Sequence, residues 1–119
     1  MTSGWRWLPL LALALSAACG RPAQPAALRL ATSPAGPDTR LTLHAQPGIQ
    51  INARLAPALE LADGTVLRFA GTERTADSAY FTAPPTARLA GRHARVHGTL
   101  RASVCRTDEQ VCRSITLPL

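Results

Sequence analysis

From Leu28 onward apolar and polar residues alternate in short runs. Leu28 and Leu30 flank Arg29; Leu41, Leu43 and Ala45 alternate with Thr42 and His44; Ile49 and Ile51 flank Gln50. Leu59 and Leu61 flank Glu60, and Leu67 and Phe69 alternate with Val66 and Arg68. A period of two puts successive side chains on opposite faces of an extended chain, so each run predicts a strand with one buried face. The runs are separated by residues suited to turns: SPAGPD, Pro47-Gly48, the hairpin signal Asp63-Gly64, and Pro84-Pro85. Further segments are expected at Tyr80-Phe81, from Ala87 to Leu89, from about Ala94 to Cys105, and from about Val111 to Leu119. The one helical rival, ARLAPALELA, holds Pro57 in its interior, where proline removes a hydrogen bond and clashes with the preceding turn.

Seven or eight short strands with no internal repeat predict an all-β chain folded as an immunoglobulin-like β-sandwich. The last two strands carry a cysteine pair in VCRTDEQVC. In the first of them Ala94, Val96, Gly98, Leu100, Ala102 and Val104 share one face, leaving Arg95, His97, Thr99, Arg101, Ser103 and Cys105 on the polar face. In the second, Val111, Ile115, Leu117 and Leu119 are in phase, and Cys112, Ser114 and Thr116 take the other face. Both cysteines are therefore expected to point outward and stay accessible. Arg113 breaks the apolar phase, and a bulge there would shift it.

The N-terminus sets the compartment in which that pair works. The opening MTSGWRWLPLLALALSAACG has one Arg, an apolar run from Leu8 to Leu15 and a small-residue tail, which is a secretory signal pattern. The run is shorter than the roughly 20 residues a membrane helix needs. Ser16, Ala17 and Ala18 before Cys19 resemble a bacterial lipobox, with Ser where Leu is usual. Gly20 after the cysteine implies an outer-membrane destination. The expected layout is a lipoprotein signal peptide over residues 1–18, a lipidated Cys19 with a Pro/Ala linker over 19–27, and one domain over 28–119. That places the domain on the periplasmic face of a bacterial envelope, tied to the membrane by lipid.

Charge alters this picture little. All thirteen basic residues are Arg, against seven acidic ones, and they are scattered along the chain. Outside the cytoplasm a scattered Arg surface is a solvated face, and no nucleic-acid partner is expected. Both tryptophans, Trp5 and Trp7, lie in the leader, so the core must be mainly aliphatic, unlike that of an antibody domain.

In an oxidising compartment Cys105 and Cys112 can form a disulfide across adjoining strand ends. Closing so short a ring contributes about 2 to 3 kcal/mol in the chain-entropy model. It would tie no two sheets together, which makes it a poor staple and an accessible target for a partner's thiolate. Arg101, Arg106 and Arg113 would favour a thiolate nearby, and Asp108 and Glu109 would oppose it. Three readings stay open: thiol–disulfide exchange, a redox-inert disulfide-stapled envelope module, and a metal site using the thiols with His93 or His97. The metal reading is the weakest, because on one strand those histidines stand about 13 Å apart. No nucleophile–base set and no glycine-rich phosphate loop is recognisable, and no metal or cofactor is called for.

The segment GTLRASVCRTDEQVCRSITLPL, Gly98 to Leu119, resembles the C-terminal hairpin of the immunoglobulin-like N-terminal domain in the DsbD family of thiol:disulfide interchange proteins. LTLHAQPGIQIN is similar to an early strand and turn of the same domain. The cysteine spacing is one residue longer than in the best-known members, and Arg113 and Ser114 stand where an aromatic and a proline usually follow. The resemblance implies redox-active cysteines, with Cys112 forming the mixed disulfide and Cys105 resolving it. It implies a thioredoxin-fold periplasmic partner or a membrane electron donor, and Phe69 as the candidate aromatic shield.

Overall fold

A computed structural model describes residues 26–109 and 111–119, together with Gly4. The proposed signal peptide, Cys19 and all but the last two residues of the linker lie outside the described residues. Eight strands follow in order: β1 (Leu28–Ala35), β2 (Asp38–Ala45), β3 (Ile49–Ile51), β4 (Ala58–Leu61), β5 (Val66–Arg68), β6 (Thr86–Leu89), β7 (Gly98–Arg106) and β8 (Cys112–Pro118). They form an all-β sandwich of two antiparallel sheets, one of β1, β2 and β6, the other of the remaining five. The two antiparallel sheets bear out the β-sandwich of eight strands that the sequence predicts.

β1 and β2 pair from Leu28↔Ala45 to Ala35↔Asp38 around the two-residue turn Gly36-Pro37. Gly36 sits at φ 61°, the left-handed backbone such a turn requires at its first position. The strand thus runs through Ser33 and Pro34, which the sequence assigns to a turn. Pro34 is tolerated because β1 is an edge strand, where a missing N–H on the open side breaks no ladder.

In the second sheet β3 and β4 lie end to end along one side of β7. β3 pairs with its last residues, Ile51↔Val104 among them, and β4 with its first, including Leu59↔Leu100. β8 takes the other side. The inward positions of both sheets, among them Leu41, Leu43, Leu59, Leu100 and Phe69, are fully buried and form one core. Truncating such a leucine to alanine typically costs about 2 to 5 kcal/mol.

β7 starts at Gly98, four residues later than the alternation predicts. The 90–97 segment is a loop because its backbone bonds elsewhere. Buried Thr39 donates from Oγ1 to the Gly91 carbonyl at 2.8 Å and accepts from the His93 N–H at 2.9 Å. Gly98 then enters the sheet against β4 so closely that a Cβ would collide with the Glu60 carbonyl. Only glycine allows that approach.

Candidate functional site: the Cys105–Cys112 hairpin

The β7–β8 register runs without interruption from Thr99↔Pro118 to Cys105↔Cys112. Arg113 therefore sits in phase with no bulge, exposed at the open end of the sandwich. The regular register sets Cys105 and Cys112 directly opposite, with Cα atoms 4.0 Å apart and a disulfide between them. Alternation fixes which face they share: Leu100, Ala102 and Val104 enter the core, so Cys105 takes the outer face.

Sharing a face does not give the two sulfurs equal exposure. Cys112 is exposed, as expected, but Cys105 is only 2% exposed, which corrects the expectation that both are accessible. Cys105 is buried between Gln50 of β3 on one side and Cys112 of β8 on the other. Tyr80 approaches the pair at Cys112. Residues 79–81 run along the far side of β3, held by Ala53 N–H to Ala79 O (2.8 Å) and Phe81 N–H to Ile51 O (3.0 Å). Phe81 is buried in the core, which turns Tyr80 to the outer face beside Asn52. The Tyr80 hydroxyl lies 3.9 Å from Cys112 Sγ. The contact is made to Cys112, the exposed member of the pair, while Gln50 of β3 stands directly opposite Cys105. A disulfide sulfur carries no proton, so the hydroxyl is the donor in this long contact.

A turn beneath Tyr80 fixes where its side chain begins. Thr75 Oγ1 donates to Asp77 Oδ1 at 2.6 Å, the Ala79 N–H donates to the same oxygen at 3.1 Å, and the Tyr80 N–H reaches Thr75 Oγ1 at 3.2 Å. Ser78 takes the left-handed conformation at φ 59°. The hydrogen bond from Thr75, then that from Ala79, and the nearby Arg54 guanidinium hold the Asp77 carboxyl below the usual carboxylate value of 3.8.

Charges around the pair are partly cancelled. Arg106 pairs with Asp108 at 3.2 Å, and Arg101 with Glu60 at 3.3 Å. Arg113 has no ion pair among the described residues, and it stands on the inner side of β8, opposite the face that carries Cys112. On the inner side of β8, Ile49, Val104, Val111, Arg113 and Ile115 line an open groove of about 580 Å³, with Val111 62% exposed.

Phe69 is not the shield. It is 1% exposed and packs in the core, on the opposite side of the sheet from the disulfide. His93 and His97 precede β7 at its far end and are not brought to the cysteines. Tyr80 is the site residue the sequence reading missed. With Phe81 inward, alternation could have turned Tyr80 outward, but no local signal shows its hydroxyl meeting Cys112. Chemically, the arrangement leaves Cys112 Sγ as the sulfur an incoming thiolate can reach, with Cys105 as the covered leaving group. Searched against family models, curated proteins and solved structures, the chain matches none.

Proposed function

We propose that the domain exchanges disulfides with thiol proteins through Cys105 and Cys112, in the manner of the DsbD N-terminal domains its last hairpin resembles. The single observation behind this reading is the unequal exposure of two opposed cysteines, Cys105 buried and Cys112 exposed. A bond meant only to staple gains nothing from one exposed cysteine. A bond meant to be opened by another protein needs one sulfur open and its partner protected.

The exchange balances as follows. A partner's thiolate attacks Cys112 Sγ, the Cys105–Cys112 bond breaks, and Cys105 leaves as a thiolate that takes up a proton. A second thiol of the partner then attacks the mixed disulfide, releasing Cys112 and oxidising the partner by two electrons. Run backwards, reduced Cys112 attacks a partner's disulfide and Cys105 resolves the complex. A thioredoxin-fold dithiol protein or a membrane electron donor fits this chemistry. The leader and Cys19 support a setting in the periplasm, with lipid attachment to the outer membrane.

Cys105→Ser leaves Cys112 able to form a mixed disulfide that nothing resolves. It should accumulate a covalent, reductant-sensitive complex with a thioredoxin-fold partner, while Cys112→Ser should not. The couple's potential should lie above about −300 mV, the range of structural bonds. A potential below that value, with no complex trapped, returns the pair to the role of a structural staple.

A further inference from the structure

Far from the disulfide, where β7 begins, the two sheets part. β4 ends there at Leu61, β5 contributes Leu67, β6 ends at Leu89, and the 90–97 loop brings in Val96. These four aliphatic residues are only partly buried and line an open cleft of about 620 Å³. That volume is within the range of small-molecule sites. Its rim is basic: Arg88, His93, Arg95 and His97 stand around it, with Asp63 as the carboxylate. Asp63 is engaged in its own turn, accepting from the Thr65 N–H at 2.9 Å. Arg88 is held by Asp38 at 2.8 Å, and the His93 ring by the Ala90 carbonyl at 3.0 Å. Arg95 has no carboxylate partner among the described residues.

We propose that this cleft binds a long-chain fatty acid, its tail along Leu61, Leu67, Leu89 and Val96 and its carboxylate on Arg95. Each half of the cleft favours one half of an amphiphile. A neutral hydrocarbon would make no use of the unpaired Arg95 guanidinium, and a small inorganic anion would leave the aliphatic floor in water. A cationic amphiphile would meet Arg88 and Arg95 with like charge. The site stands apart from the exchange reading, because Gly98 and Cys105 lie roughly 23 Å apart along one extended strand.

The test uses the full oxidised chain, titrated with dodecanoate below its micelle-forming concentration and followed by amide and methyl NMR shifts. Shifts should concentrate at Leu61, Leu67, Leu89, Val96 and Arg95. Dodecyltrimethylammonium should bind at least about tenfold more weakly, and Arg95→Gln should weaken dodecanoate by about tenfold, the loss expected for one charge-assisted hydrogen bond. Leu89→Glu should abolish binding, with a thermal melt confirming that the variant folds; because Leu89 is half-buried, exposed Arg95 keeps the test valid should it not. Equal binding of the cationic amphiphile, an unchanged Arg95→Gln, or shifts centred elsewhere would overturn the proposal. So would binding to anionic vesicles without binding to monomeric dodecanoate, or a dimer in sedimentation that Leu89→Glu dissolves.

Discussion

Reducing the disulfide perturbs the hairpin without changing a single residue, and its cost follows from the ring it opens. The bond joins residues seven apart in sequence. For a loop of that size the chain-entropy relation gives about 2.5 kcal/mol of stabilisation at 25 °C. The hydrogen-bonded register from Thr99↔Pro118 to Ser103↔Ser114 does not depend on the sulfurs, so the reduced domain should remain folded. Urea unfolding of oxidised and reduced protein measures the difference directly. With a slope of about 1 kcal/mol/M for a domain this small, the midpoint should fall by about 2.5 M. By the thermodynamic cycle, the same energy makes the folded couple about 50 mV harder to reduce than the unfolded one. A difference under about 0.5 kcal/mol would refute ring closure as the source of the stabilisation. A loss above about 5 kcal/mol, or unfolding on reduction, would refute a hairpin that cycles between two redox states.

Removing the ring beside Cys112 should speed attack: Tyr80→Ala is expected to raise the rate of reduction by a small thiol several-fold, with Tyr80→Phe closer to wild type, in a stopped-flow assay. Equal rates would mean that Tyr80 does not screen the pair. The Asp77 turn should loosen in acid. Its folded pKa lies below 3.8, so its contribution is complete above that value and is lost as pH falls through the lowered one. With a phosphine reductant, which needs no thiolate, wild type should therefore gain reduction rate between about pH 4 and pH 2 relative to Asp77→Asn, which lacks the titrating group. Gly98→Ala forces a methyl group onto the Glu60 carbonyl and should destabilise by about 1 to 3 kcal/mol in the same urea assay.

Period-two patterning located the eight strands because each buries one face, and that signal is local. It overran at Ala94–His97, where alternation continues but the loop's backbone bonds go to Thr39, distant in sequence. It also chose the right face for both cysteines. What lies beside a face is a different question: the hydroxyl that meets Cys112 belongs to Tyr80, rooted beyond β3 and positioned by a turn at Thr75–Ser78. Phe69 was misplaced for a related reason, since an aromatic in phase with Leu67 belongs to the core before it can serve the outer surface. The cleft at the other end has no sequence signature, because its four aliphatic residues come from three strands and a loop.

β8 is both the last strand and an edge, so tension applied at Leu119 loads its hydrogen bonds one after another, starting at Pro118. The ladder down to Arg113 opens alike in both redox states, because Cys112 is the last pair reached. While the sulfurs are joined, the pull then passes straight from Cys112 to Cys105 and the residues between them carry none of it. Once they are parted, that connecting segment bears the whole load.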